Sequence, residues 1–137
     1  MIVPVTYSSS SSAEKGPNAQ VNAMVSHPAV PLLVVGYEDR NIRVFDLATF
    51  SCTHSMLAHL DAVTSLSLDP SGHTLVSGAH DNSVRFWDIL GQKQCIQEDT
   101  KHRQKGDEGV LDVEFHASLP FMASAGADGL VKIWASS

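Results

Sequence analysis

A serine, a histidine and an aspartate, the residue types of a nucleophilic hydrolase site, lie close together near the middle of the chain. They are His59, Ser77 and Asp81. In such a site the Asp orients the His, which takes the proton of the Ser hydroxyl. The Ser must also stand on a strand-to-helix turn beside backbone N–H groups that stabilise an oxyanion. Neither signal surrounds Ser77, so the sequence speaks against hydrolysis.

The three residues belong to a unit that the chain repeats three times. Each copy contains an Asp followed six residues later by an aromatic residue, in GYEDRNIRVFD, GAHDNSVRFWD and AGADGLVKIWA. Residues 21–46 align without a gap on residues 63–88, and these align without a gap on residues 110–135. The chain is therefore an array of one supersecondary unit. The aligned pairs are Asp39 and Phe45, Asp81 and Trp87, and Asp128 and Trp134.

Each copy has the pattern of short strands separated by turns. In the second copy VTSLSLD alternates apolar and polar residues, PSG turns the chain, TLVSGA is a buried strand, HDNS turns again and VRFWDI is a third strand. Fourth strands are expected near residues 51–56 and 93–98. Four antiparallel strands in about 40 to 45 residues form a β-propeller blade of the WD40 class. The sequence thus predicts an all-β fold of about three four-stranded antiparallel blades.

The number of blades predicts an incomplete, open propeller, because closed rings use about four to eight blades. We divide the chain into a strand-like and Ser-rich segment, residues 1–20, and three repeats, residues 21–57, 58–100 and 101–137. The two end faces of such an arc expose apolar surface. We expect a fragment of a larger propeller; the competing interpretation is that a partner or several copies complete the ring.

The repeat gives the polar residues of the second copy a structural role. His59, Ser77, Asp81 and Trp87 are expected to form a buried chain of hydrogen bonds, because a buried carboxylate, imidazole and indole N–H each need a partner. The third copy contains the corresponding set, His102, Ser124, Asp128 and Trp134. The first copy retains only Asp39, so we expect it to depend more on apolar packing.

A second recurring set leaves an alternative function open. His27, Asp69 and His116 end the first strand of successive copies. If these side chains converged near the channel, they would suit a propeller-type enzyme or a metal-dependent site. They also precede turns at Pro28 or Pro70, and we expect them to cap those turns instead.

Composition excludes several other classes. The formal net charge is −6 and Lys and Arg form no large cluster, so a nucleic-acid partner has no electrostatic support. Cys52 and Cys95, without a Cys-x-x-Cys motif, are expected to be small packing residues, and we expect neither a metal nor a cofactor.

No apolar run reaches the roughly 20 residues of a membrane span, and the start lacks signal-peptide features. We expect a cytoplasmic protein.

Other proteins are the expected partners, because propellers present variable loops on a rigid scaffold. The loop before each first strand and the turn after each second strand are expected to converge on one face. The candidate contact residues are Glu38, Arg40, Leu60, Asp61, His80, Asn82, Lys101, Arg103 and Lys105.

Three stretches in order carry a resemblance to a known family. They are AHLDAVTSLSLDPSGHTLVSGAHDNSVRFWD, CIQEDTKHRQK and VEFHASLPFMASAGADGLVKIW, at residues 58–88, 95–105 and 113–134. Together with residues 26–46 they resemble the C-terminal WD-repeat region of the striatin family, over roughly residues 20–134. The resemblance implies a noncatalytic scaffold, part of a regulatory subunit in a complex of protein phosphatase 2A and kinases. The family's calmodulin-binding and phosphatase-binding segments are not expected within this chain.

Overall fold

The computed structural model describes residues 19–100, 102–103, 105–106 and 108–135. In these ranges the chain forms eleven strands in three antiparallel sheets, and no helix. The first sheet contains β1 (Val21–Ser26), β2 (Leu32–Tyr37), β3 (Asn41–Asp46) and β4 (Ser51–Leu57). The second contains β5 (Val63–Leu68), β6 (Thr74–Ala79), β7 (Val84–Asp88) and β8 (Cys95–Asp99). The third contains β9 (Val110–Phe115), β10 (Phe121–Gly126) and β11 (Val131–Ala135).

The predicted all-β fold class is confirmed: the described residues form three antiparallel sheets that pack side by side as blades and do not close into a ring. Each sheet is a meander in which consecutive strands pair, and the expected fourth strands form as β4 and β8. The third sheet departs from the expected four strands, since the described residues supply three. None of the described segments is a helix with the length and apolar character needed to cross a membrane.

The turn between the second and third strands of each blade has one backbone design. The residue after the repeated Asp has a left-handed backbone, with φ of 75° at Arg40, 70° at Asn82 and 80° at Gly129. The Asp side chain stabilises this turn by accepting the backbone N–H two residues ahead, as Asp side chains commonly do. The backbone N–H of Asn41 donates to Asp39 at 3.1 Å, that of Ser83 to Asp81 at 2.9 Å and that of Leu130 to Asp128 at 3.1 Å.

Apolar side chains fill the spaces between successive sheets. Between the first and second sheets, Ile42 and Val44 pack in one cluster with Val63, Leu66 and Trp87. The second and third sheets share an equivalent cluster, built from Val76, Val84, Val110, Val113 and Met122. Alternation along each strand provides these residues, because every second side chain points to the same face.

The two outer faces of the arc expose positions that are buried inside it. Val131 aligns with Ile42, yet it is 70% exposed whereas Ile42 is fully buried. At the other end Val21 is 50% exposed, whereas the aligned Val63 is fully buried. The same repeat position therefore has a different environment in different blades, because only interior positions have a neighbouring blade.

Each first strand contains a bulge, and in the first and second blades the bulge directs a side chain toward the next blade. The register of the first strand shifts at Asn22, Thr64 and Leu111, which occupy one repeat position. The Asn22 Nδ2 group donates to the Val63 carbonyl oxygen at 3.0 Å, and the Thr64 hydroxyl donates to the Val110 carbonyl oxygen at 2.6 Å. Bulges re-aim side chains in this way. Leu111, in the last blade, is partly exposed instead.

The expectation that Cys52 and Cys95 pack inside is wrong. Both thiols are free and exposed. They lie on β4 and β8, the final strands of their sheets, which pair on one side only. The thiols instead donate to nearby backbone carbonyl groups at 3.4 Å.

Candidate protein-binding face

The second blade brings the four predicted polar residues together. His59 lies in the loop before β5, Ser77 on β6, Asp81 in the turn after β6 and Trp87 on β7. The Trp87 indole N–H donates to the Ser77 hydroxyl at 2.9 Å, and Ser77 Oγ lies 2.6 Å from His59 Nε2. His59 Nδ1 lies 3.1 Å from the Asp81 carboxylate. If Nδ1 donates to Asp81, Nε2 is free to accept the Ser77 hydroxyl proton, so all four groups are satisfied.

The same geometry argues against a hydrolytic role for Ser77. Its side chain is fully buried, and its oxygen already accepts the indole N–H of Trp87. A nucleophile must reach the substrate, and hydrogen-bond donors must stabilise the oxyanion that develops on the substrate. The arrangement therefore serves to connect a loop, a strand and a turn.

The third blade repeats the network with equal geometry. Ser124 Oγ lies 2.7 Å from His102 Nε2 and accepts the Trp134 indole N–H at 2.8 Å. His102 Nδ1 lies 3.1 Å from the Asp128 carboxylate. His102 and Ser124 are buried. The longer loop before this blade therefore returns its His to the same position.

The carboxylates of both networks are held in their charged form. Burial raises the pKa of Asp81, but hydrogen bonds from His59, Ser83 and Leu60 outweigh burial, and the pKa lies well below its usual range. The backbone N–H of Arg103, together with His102, lowers the pKa of Asp128 to about 2 despite the opposing effect of burial. Each carboxylate thus remains an acceptor at neutral pH.

In the first blade Asp39 has a different partner. Its carboxylate accepts a hydrogen bond from Arg43 Nη2 at 2.9 Å, and the Arg43 guanidinium lies 4.4 Å from the centre of the Tyr37 ring. Burial raises the pKa of Asp39, and the bonds from Arg43 and Asn41 outweigh it, so the pKa is lowered. Nearby, Val35, Tyr37 and Phe45 form a buried apolar cluster. An ion pair and apolar packing thus occupy the place of the His-containing network.

Each complete network also fixes the loop that follows its histidine. The backbone N–H of Leu60 donates to Asp81 Oδ2 at 2.9 Å, and the backbone N–H of Arg103 donates to Asp128 Oδ2 at 3.0 Å. The two donors are equivalent, since each directly follows the His of its network. The side chain of Leu60 is 77% exposed, and that of Arg103 is also exposed. The buried carboxylates therefore present two surface side chains at fixed points.

The other contact candidates fall into three groups. Glu38, Arg40, Asp61 and Lys105 are exposed. His80 and Asn82 are half-buried, and His80 Nδ1 accepts the Gly109 N–H at 3.3 Å, which joins the second blade to the loop of the third. Lys101 lies outside the described residues.

His27, Asp69 and His116 each bind the turn that follows them. His27 Nδ1 accepts the N–H groups of Ala29 and Val30, at 3.0 and 3.1 Å. Asp69 accepts the Ser71 N–H at 2.7 Å, and His116 accepts the N–H groups two and three residues ahead. Within the described ranges no cluster of three His, Cys, Asp or Glu side chains is suited to a metal ion. Nothing in the geometry favours the enzymatic alternative.

Sequence reasoning missed Ser83, a further member of the second network. Its hydroxyl donates to Asp81 Oδ1 at 2.6 Å and lies 2.8 Å from His59 Nδ1, and the residue is buried. A polar residue two positions after a turn Asp is the available signal. The first and third copies have Asn41 and Leu130 there, so the repeat alignment alone does not reveal it.

Comparison with known proteins agrees with this architecture. The family described as "WD domain, G-beta repeat" matches residues 9–46, 50–88 and 93–135. Striatin-3 of Homo sapiens is 52% identical over 117 residues, which cover 85% of this chain and 15% of that protein. Striatin of Mus musculus is 46% identical over 95% of this chain, and Striatin-4 of Mus musculus is 49% identical over 90% of it. The resemblance predicted from the sequence is confirmed, and the chain spans about 15% of the length of these relatives.

Proposed function

Because the chain belongs to the WD40-repeat family and its repeats resemble those of striatins, we propose that it is a noncatalytic scaffold that binds other proteins. In this proposal it acts in the cytoplasm, within an assembly that contains protein phosphatase 2A and protein kinases. Each of the repeats 21–57, 58–100 and 101–137 contributes one blade to the binding platform.

One observation supports this function above the others. The buried carboxylates of Asp81 and Asp128 accept the backbone N–H groups of Leu60 and Arg103, at 2.9 and 3.0 Å. A loop fixed before binding loses less conformational entropy when a partner docks, which favours affinity. Leu60 offers an apolar contact and Arg103 a charged one, and Arg is among the residues most enriched at protein interfaces.

The test measures which proteins associate with the tagged full chain in cells. We expect the phosphatase catalytic subunit and a kinase to be recovered together through other members of the assembly, because the family's phosphatase-binding segment is not expected within this chain. Leu60→Glu places a charge on the exposed face and is expected to reduce that recovery at least about tenfold, as loss of an interface anchor does. Failure of the wild-type chain to recover either enzyme contradicts membership of such an assembly.

A matched variant separates the binding face from a general surface effect. Leu90→Glu introduces the same change in the turn after β7, at the opposite end of that strand from Asp81, where Leu90 is 38% exposed. We expect Leu90→Glu to bind as the wild type does. Equal losses for Leu60→Glu and Leu90→Glu argue against the proposed face.

A further inference from the structure

A cleft of about 570 Å³ lies between the second and third blades. It is bordered by β8 of the second blade and by the first turn and last strand of the third. Polar and apolar surface line it in nearly equal measure, and Asp69 is the only charged residue among the described residues that line it. The aromatic and aliphatic side chains of its lining include Phe86, Ile96, Phe115, Leu119 and Trp134.

The equivalent place between the first and second blades is bridged. There His27 Nε2 donates to the Gly72 carbonyl oxygen at 2.9 Å, which links the first turn of one blade to the first turn of the next. Gly72 is required for this approach, because a Cβ atom on it would overlap the His27 ring. Ile89, fully buried, packs in the cluster between the same two sheets.

Two substitutions at the same repeat positions remove this bridge from the second junction. Asp69 replaces His27, and a carboxylate has no N–H group to donate. Leu119 replaces Gly72, and its side chain is 52% exposed. The second junction therefore lacks the bridge because the copies of the repeat differ at these two positions.

The chemistry of the cleft selects its occupant. Asp69 accepts the Ser71 N–H through Oδ1 at 2.7 Å, and it lines the cleft together with aromatic, aliphatic and polar side chains. The Trp134 indole N–H is committed to Ser124, so Trp134 offers apolar surface there. A cation beside an apolar group complements both features, and Arg forms the strongest paired contacts with carboxylates.

We propose that this cleft binds a peptide segment of a partner protein in which an Arg side chain pairs with Asp69 and an adjacent apolar side chain contacts Phe86 and Phe115. The site deepens the proposed function, because it assigns a partner chemistry to a surface separate from the Leu60 loop. This proposal requires that the chain binds proteins, and it does not depend on the identity of the complex that contains the chain.

The test titrates the full chain with a capped Leu-Arg-Leu tripeptide and follows backbone amide signals by NMR. We expect saturable shifts at residues that line the cleft. Asp69→Asn is expected to weaken binding about tenfold, the effect of one charge-assisted hydrogen bond. Asp46→Asn, the matched control, removes an equal charge from an aspartate of the first blade that also accepts the N–H two residues ahead, and it is expected to leave binding unchanged.

A second variant closes the cleft with a contact that the protein already uses. Asp69→His combined with Leu119→Gly recreates the pair found at His27 and Gly72, and it is expected to abolish peptide binding while the chain remains folded. Equal binding of a capped Leu-Glu-Leu tripeptide, or no saturable shift at the cleft, overturns the proposal. Recovery of phosphatase and kinase from cells is measured separately, so a negative peptide result leaves the proposed scaffold function intact.

Discussion

The backbone N–H of Leu60 donates a hydrogen bond to the buried carboxylate of Asp81 at 2.9 Å. Asp81 also accepts bonds from Ser83 and contacts His59, so one side chain joins the network inside the blade to the loop on its surface. Arg103 and Asp128 repeat this relationship in the third blade. Stability and surface geometry are therefore coupled through the same carboxylates.

Removal of the Asp81 carboxylate is expected to destabilise the protein strongly. Asp81→Ala leaves the Leu60 N–H, the Ser83 groups and His59 without their acceptor, and we expect a loss of about 3 kcal/mol in the free energy of unfolding. Urea titration monitored by circular dichroism measures it. Asp61→Ala changes an exposed Asp of the same loop and is expected to stay within about 0.5 kcal/mol. A comparable effect for the two variants contradicts the proposed role of the network.

The corresponding change in the first blade is expected to cost less. Asp39 is one-third exposed and its principal partner is Arg43, so solvent screens the pair. We expect Asp39→Ala to lower the free energy of unfolding by about 1 kcal/mol, mainly through the lost turn bond and ion pair. The same urea titration compares the two aspartates. A loss as large as that of Asp81→Ala shows that the blades depend equally on this position.

Acid is expected to destabilise the two blades that contain the networks. In the folded chain the pKa of Asp81 is lowered and that of Asp128 is about 2. The pKa of an Asp in an unfolded chain is about 3.9. A lowered folded pKa contributes stability that is fully present above the unfolded pKa and is lost as pH falls toward the folded value. The free energy of unfolding should therefore decrease below about pH 4.

Two Asn variants assign this acid sensitivity. Asp81→Asn removes one titrating group and is expected to flatten the decrease in stability between about pH 4 and pH 2. Asp128→Asn is expected to flatten the decrease in the same way. Unfolding midpoints measured across this pH range compare both variants with the wild type, and a slope for Asp81→Asn identical to that of the wild type refutes the assignment.

Close contact between blades makes Gly78 intolerant of a methyl group. A Cβ atom there would lie 2.6 Å from Val110 Cγ1, a strong overlap between β6 and β9. We expect Gly78→Ala to lower the free energy of unfolding by about 1 to 3 kcal/mol, which exceeds the benefit of replacing a strand glycine. The aligned residue of the third blade is Ala125, which carries this methyl group already. Thermal unfolding provides the measurement, and an unchanged or higher midpoint for Gly78→Ala contradicts the packing argument.

Most of the fold was predictable because the repeat supplies each element three times. Strand alternation, turn residues and the Asp spacing define the strands, and β4 lies close to the fourth strand expected near residues 51–56. The resemblance to striatins was likewise visible in the sequence. By contrast, the partner of Asp39 was not predicted. Arg43, on the same hairpin, donates to Asp39 in the place of the histidine of the other two blades, and the alignment of the copies does not indicate this contact.

Exposure of the cysteines and the role of Ser83 were also missed. The sequence assigned Cys52 and Cys95 to the expected fourth strands, but a strand assignment does not determine which side chains another segment covers, and both cysteines are exposed. Ser83 joins the network because a loop distant in sequence places His59 beside it at 2.8 Å. Such proximity depends on how the segments pack together.

The sequence by itself determined the repeat, the blade fold and the residues that compose the two networks, since these depend on local spacing and on which buried groups need partners. Only the tertiary structure decided which junctions between blades are bridged and which side chains they bury. His27 bridges one junction, Asp69 leaves the next one open, and Val131 is exposed where Ile42 is buried. The physical reason is that side chains at one repeat position differ in environment according to the neighbour that packs against them, and neighbours are set by assembly of the blades.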